Sequence, residues 1–461
     1  MKYHLNPWEI RFRRSLKKVG THPLVQKVSQ WLIQHNLSKA PLRAAPLWIA
    51  SALVGLMAVG YERLFAFVEH LGMRFFEQHP TWIFLTTPLC FIGAWLLARY
   101  FAPAAAGSGI PQLMAAVDLA DGRSHRRVDG LLSMRVALIK VASNLLLLLG
   151  GGSTGREGPT LQVAGSIFET VYRIIPETWS KVSQKVMIVT GGAAGLAAAF
   201  NTPLGGIVYV VEELTKAHLT LFRTAILSSV IIAGMTSQFL LGPYLFLGYP
   251  TVVPLPFSFL WLLLLLALLT GLAGAWFTRI LLWISGWRQL VRGMKGQVLF
   301  VGSLGLLFAA LVYYTGTPTM GSGKELINEA LFHGTGHLPW YAFPARFIGN
   351  ALSFSAGGAA GIFATSLSSG AMLVSLLLNT LFSVPSEHHN LLVLAGMIGF
   401  LTGVTRTPFT SAILVLEMTD RHSAIFFFLL AGIAANLAAS LVLRQSFYEI
   451  RKEEVLHHAS S

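Results

Sequence analysis

The chain has 461 residues, of which 54% are hydrophobic and only 12% charged, and its mean hydropathy is +0.62. A soluble chain carries about twice that share of charge, so a water-soluble domain is excluded and an all-α polytopic membrane protein is expected. The net charge of +14 does not indicate nucleic acid, because no aromatic-basic recognition module accompanies it.

Residues 1–44 hold much of the positive excess, as in "MKYHLNPWEIRFRRSLKKVG". Lysine and arginine ahead of a first apolar span are expected to hold that end in the cytoplasm. The stretch is too charged for a signal peptide and shows no small-residue cleavage site. Residues 24–37, "LVQKVSQWLIQHNL", read as a helix lying on the inner surface. Beyond it, 187–211, 224–278 and 423–443 contain no Asp, Glu, Lys or Arg, each long enough to cross a hydrocarbon core roughly 30 Å thick. Hydropathy alone suggests about ten to twelve spans. Cys90 is the sole cysteine, so neither an intrachain disulfide nor a cysteine-cluster metal site is expected. No cofactor is implied.

Glycine and proline interrupt the apolar pattern in "FAPAAAGSGIPQL", "GREGPTLQVAG", "AAAFNTPLGGIVYVV" and "GVTRTPFTSAILVLEM". "GSGIPQL" sets Gly107, Ser108 and Gly109 before Pro111. Proline suits a first helical turn, and the free amides with the Ser108 hydroxyl suit an anion; a serine N-cap with no ligand is the plainer reading. "GREGPTLQVAG" repeats the design, with Pro159 opening a helix and the amides of Arg156, Glu157 and Gly158 near its start. A nucleotide-binding loop is excluded because Gly155-Arg156-Glu157 stands where Gly-Lys-Ser/Thr is required. A carboxylate at membrane depth is costly and functional by default. "FNTPLGGIVYVVEEL" ends in Glu212 and Glu213, whose side chains point about 100° apart on a helix. "GGAAGIFATSLSSG" places Ile362, Phe363 and Ala364 beside small residues; it is either an anion-capping helix start or a helix-packing seam.

The breaks recur. Thr202-Pro203 and Glu212 are matched 205 residues later by Thr407-Pro408 and Glu417, and 155–160 falls on 361–365 at an offset of 206. "GSG" at 107–109 returns at 321–323. Such order indicates a duplicated unit, and discontinuous helices in matching halves mark a transporter's binding site. The expected division is a basic segment 1–44, a first membrane repeat 45–240, a linker 241–256, a second repeat 257–447 and a short tail 448–461, with no room there for a soluble regulatory domain. Sequence periodicity leaves open whether the halves are parallel or inverted. Glu212 has its echo in Glu417, whereas Met418 stands opposite Glu213, so Glu212 reads as structural and Glu213 as specialised.

"GSGIP", "GREGP", "GIFA" and the late Tyr448, in that order, resemble the CLC chloride channels and chloride/proton antiporters. The paired glutamates resemble the antiporter branch, of the bacterial type without a regulatory domain. The resemblance implies inverted repeats of tilted, discontinuous helices and a homodimer with one ion pathway per subunit. It also implies a multi-pass protein of the bacterial inner membrane with both termini cytoplasmic, whose partners are chloride, protons and the lipid bilayer. By position it assigns Ser108 and Tyr448, the latter in "SFYEI", with the amides of Ile362 and Phe363, to a central anion site, with Gly109 in the same loop. The amides of Arg156, Glu157 and Gly158 with Ala364 would form an outer site. Glu157 would be the gate and Glu213 the inner proton-transfer group. Thr365 stands where the family has proline. The implied activity is chloride/proton exchange; the alternative is a passive voltage- or pH-gated chloride channel of the same fold. A fluoride exporter fits "GREGP" and Ser108 less well, and no hydrolase signature is present.

Overall fold

A computed structural model describes residues 39–120, 127–175, 182–215, 223–242 and 245–460; the expected surface helix at 24–37 lies outside them. The described residues form helices and short turns with two isolated backbone bridges. The first half comprises α1 (Lys39–Gln78), α2 (Ile83–Phe101), α3 (Ile110–Leu119), α4 (Met134–Leu149), α5 (Glu157–Ile174), α6 (Gln184–Phe200), α7 (Pro203–Tyr209) and α8 (Arg223–Leu241). The second comprises α9 (Leu260–Leu290), α10 (Met294–Thr315), α11 (Lys324–Asn328), α12 (Ala342–Ser355), α13 (Phe363–Thr380), α14 (His389–Thr405), α15 (Pro408–Thr419) and α16 (Ile425–Ser440). A last helix, α17 (Phe447–Ser460), follows.

Helix length explains the architecture. At 1.5 Å per residue, the 40 residues of α1 and the 31 of α9 span about 60 and 46 Å, more than a core of roughly 30 Å, so they cross obliquely. The seven residues of α7 cannot cross at all. Among the described residues, eight helical stretches are long and apolar enough to span a membrane and four more are apolar but only 10–17 residues long. Against the ten to twelve spans suggested by hydropathy, the described residues thus offer eight helical stretches fit to cross and four shorter apolar helices, and the chain is a multi-pass membrane protein.

The breaks have one local cause in both halves. Asn201 (φ 57°) and Arg406 (φ 61°) take the left-handed conformation and end α6 and α14. Each is followed by Thr-Pro, with Pro203 and Pro408 opening α7 and α15. A left-handed residue reverses the chain at a helix end, and proline, lacking an N–H, restarts it. One hydrophobic core runs from Ile83 through Tyr448 and takes side chains from both halves, so the repeats fold as one body.

Candidate functional site

Two of the interrupted segments, at 107–109 and 155–158, converge with the glycine-rich strip 358–361. Gly107 N donates to Gly358 O (2.9 Å) and Ala360 N to Gly107 O (3.1 Å); Gly155 and Gly361 exchange N–H···O bonds of 3.0 and 3.2 Å. Both first-half loops are therefore stitched to the strip 358–361 of the second half, and the starts of α3, α5 and α13 meet there. Thr160 N to Arg156 O (2.8 Å) begins the ladder of α5, and Ser366 N to Ile362 O (3.0 Å) that of α13. The amides just upstream, of Glu157, Gly158, Phe363 and Ala364, are the orphan donors of two helix starts. Aligned peptide dipoles add about half a positive charge at each such end.

Buried polar side chains hold these loops. Lys140 Nζ donates to Ala105 O (3.0 Å) and Gly107 O (2.7 Å). Asn144 Nδ2 donates to Thr154 Oγ1 (3.1 Å) and Ala359 O (3.1 Å), while Tyr61 Oη donates to its Oδ1 at 2.5 Å. Ser143 Oγ accepts from Ala359 N (2.9 Å) and Thr154 Oγ1 from Gly361 N (3.0 Å). In the second half, Arg346 donates to Met320 O (2.8 Å) and Ser322 O (3.0 Å), and Asn350 Nδ2 to Thr365 O (3.1 Å). Ser153 Oγ of the first half donates to Asn350 Oδ1. Cations and amides thus satisfy the loop carbonyls and fix the loops in place. Sequence reading missed all four of Lys140, Asn144, Arg346 and Asn350. The available signal was the repeat offset: Lys140 and Arg346, like Asn144 and Asn350, lie 206 residues apart.

At the centre, Glu157 is 1% exposed, and its carboxylate lies against its own amide and that of Ala364. Arg156 turns its side chain away from this point. Its Nη2 contacts Glu62 Oε2 (3.2 Å) and donates to Ala199 O (3.1 Å). Gly158 sits on Ser108, so closely that a Cβ there would lie 2.5 Å from Ser108 Oγ. Gly109 (φ 99°) packs on Gln162 and Gly158 O in a left-handed turn that suits glycine. Ser108 Oγ and Tyr448 Oη lie near one another, both buried, and neither makes a hydrogen bond of ordinary geometry. The Tyr448 ring lies parallel to Phe363 (9° between planes, centroids 6.3 Å apart) and Phe363 packs on Phe200. Ile362 precedes α13 as its N-cap residue. The predicted residues Ser108, Gly109, Gly158, Ile362, Phe363, Ala364, Glu157 and Tyr448 are brought together; Arg156 contributes its backbone there while its guanidinium points elsewhere.

Glu213 lies apart from this cluster. It sits in a π-helical turn, Val210–Thr215, that continues α7. It is 4% exposed and accepts a long bond from Ser446 Oγ (3.4 Å). Ser446 is also the N-cap of α17: its Oγ accepts from Glu449 N (3.0 Å) and its N donates to Glu449 Oε2 (3.0 Å), a capping box. The cap that orients Tyr448 therefore also touches Glu213. Among the described residues no group of three His, Cys, Asp or Glu could hold a metal ion. The arrangement gathers two helix starts and two buried hydroxyls around the Glu157 carboxylate, with Glu213 joined to the cluster's edge through Ser446.

Residues 89–440 match the family model described as voltage gated chloride channel. Solved structures similar to this chain include a slow cyanobacterial Cl⁻/H⁺ antiporter, at 22% identity and a TM-score of 0.76, covering 91% of this chain and 99% of that one. A CLC-type fluoride/proton antiporter is similar at 21% identity and a TM-score of 0.75, with 89% and 98% covered. A eukaryotic CLC transporter is similar at 19% identity and a TM-score of 0.69, with 90% and 75% covered.

Proposed function

This chain belongs to the voltage gated chloride channel family, and on that premise we propose that it exchanges chloride for protons across a membrane. The observation that carries the reading is the Glu157 carboxylate resting on the amides of Glu157 and Ala364. Helix-start amides are an anion site, and here the protein's own carboxylate takes the place of the ion. Chloride and ionised Glu157 compete for the same donors. A proton on Glu157 cancels its charge and weakens its hold on the amides, so the side chain leaves and chloride enters; loss of the proton drives the carboxylate back.

In this reading chloride on the inner side rests on the Ser108 and Tyr448 hydroxyls, beside the Ile362 and Phe363 amides. Glu213, buried away from that site, takes protons from the cytoplasmic side. Both unpartnered hydroxyls support it, because buried polar groups in proteins nearly always find partners. Each subunit carries the whole residue set, which suits a homodimer with two independent pathways. The basic N-terminal segment suits cytoplasmic termini in a bacterial inner membrane.

The test is reconstitution of the purified protein in liposomes, following chloride and pH together under opposed gradients. Proton uptake driven by a chloride gradient is expected. Chloride flux with a reversal potential indifferent to pH would show a passive channel instead. Repeating the assay with fluoride in place of chloride identifies the preferred ion.

A further inference from the structure

We propose that Glu69 positions the loop carrying Glu157, through the single peptide group that joins Gly321 to Ser322. The inference rests on the exchange reading above and adds to it a residue outside the anion site. Glu69 lies in the later part of α1 and is half-buried. Its Oε1 accepts from Ser322 N (2.6 Å) and from Ser322 Oγ (3.0 Å). Bonds to an ionised acceptor are roughly twice as strong as neutral ones. Gly321 (φ 62°) makes this approach possible, because a Cβ there would collide with Glu69 Oε1.

The carbonyl of the same peptide group points the other way. The group is planar and trans, so fixing its N–H also fixes the direction of its C=O. Gly321 O accepts from Thr154 N (3.3 Å) and Ser153 Oγ (3.4 Å), and Arg346 donates to it from Nη1 and Nη2 (3.2 Å each). Thr154 stands three residues before Glu157, and Gly155 between them pairs with Gly361. The loop that carries Glu157 is therefore held on one side by the strip 358–361 and on the other by a peptide anchored on Glu69. Hydrogen bonds in series polarise one another, so the carboxylate strengthens the Thr154 bond as well as aiming it.

Helix capping does not account for this contact. Glu417 binds the first amides of α7 directly, whereas Glu69 binds the residue before Gly323, the N-cap of α11. The first half has the same Gly-Ser-Gly loop, held at Gly107 O by Lys140, but there Ser108 Oγ has no hydrogen-bond partner. In the second half a carboxylate fills the serine, and the loop becomes a support. Placing that carboxylate on a membrane-crossing helix is costly. Among the described residues no lysine or arginine lines the cavity of about 170 Å³ that Glu69 shares with Glu325 and Glu329.

The test compares Glu69→Ala with Glu69→Gln in liposomes, reading protons moved per chloride, with thermal unfolding in detergent as the check on folding. Alanine removes the acceptor of Ser322 N; glutamine keeps an oxygen there and removes only the charge. The ratio is expected to fall about threefold or more in Glu69→Ala, because an unsteady Glu157 lets chloride pass without a proton, and to return most of the way in Glu69→Gln. A merely structural role would lower both fluxes together and leave the ratio as it was. Ser322→Ala loses one of the two bonds, and its ratio is expected to lie between those of Glu69→Ala and the unsubstituted protein; it carries the test if Glu69→Ala does not fold. An unchanged ratio in either alanine variant overturns the proposal while leaving exchange intact. A ratio as low in Glu69→Gln as in Glu69→Ala also overturns it, since charge and not position would then be what Glu69 supplies. Absence of proton movement in the unsubstituted protein removes exchange and this role together.

Discussion

Glu212 and Glu417 close each other's helices. The Glu212 carboxylate accepts from Phe409 N (3.1 Å), Thr410 N (2.7 Å) and Thr410 Oγ1 (2.7 Å) at the start of α15. The Glu417 carboxylate accepts from Leu204 N (3.0 Å) and Gly205 N (2.7 Å) at the start of α7. Two equivalent helices, each ending where the other begins, run antiparallel. The repeats are therefore inverted, a point that equal spacing in the sequence left open.

Both carboxylates satisfy orphan amides and oppose a helix dipole. Glu212→Ala and Glu417→Ala are each expected to lower stability by about 2 kcal/mol, the range for lost caps and charged hydrogen bonds. Unfolding in detergent measures this. The proton-to-chloride ratio of the surviving protein should not change. Loss of coupling with full stability in Glu212→Ala would show that the residue transports protons rather than braces the fold.

Glu157→Gln removes the charge but keeps the shape. The amides of Glu157 and Ala364 then lose their ionic occupant, and chloride has them without a competitor. Chloride flux is expected to persist while proton uptake disappears, and the pH dependence of flux should flatten. Uptake that stays proportional to chloride would rule out Glu157 as the exchanging group.

Gly158→Ala tests the geometry of the central pair. The new Cβ would meet Ser108 Oγ at 2.5 Å and Ser108 O at 2.9 Å, closer than packed atoms tolerate, so the Ser108 loop must shift. Chloride affinity by calorimetry is expected to drop by about tenfold or more, which is 1.4 kcal/mol. Affinity equal to that of the unsubstituted protein would place the bound ion away from Ser108.

Glu213→Gln separates the two carboxylates. Chloride flux is expected to continue while proton flux is lost, since Glu213 does not touch the Glu157 amides. Intact proton pumping would refute its assigned part.

What could be read from the sequence was what breaks a pattern. Glycine, proline and acids inside apolar stretches marked 107–111, 155–159, 203–213 and 361–365, because each costs a membrane helix something that only a built site returns. Lys140, Asn144, Arg346 and Asn350 escaped because one polar residue in an apolar helix has meaning only beside the carbonyls it satisfies, and those are far along the chain. Tyr448 and Phe447 look interchangeable as letters. In the fold, Phe447 packs edge-on against Phe354 (78°, 5.4 Å) while Tyr448 lies parallel to Phe363. Capping settles which of the two reaches Ser108: "SFYE" sets Ser446 and Glu449 as a reciprocal cap, fixing the rotation of α17.

The pairing of Gly107 and Gly155 with the strip 358–361 has a consequence for biosynthesis. A ribosome that has released residues 1–240 into the membrane has delivered Ser108, Glu157 and Glu213, yet both loops still lack the backbone that shapes them. The cluster around Glu157 is assembled only after residues 358–364 are inserted, and Tyr448 joins last. Until then the membrane holds a nascent half-protein whose two loops lack their backbone partners.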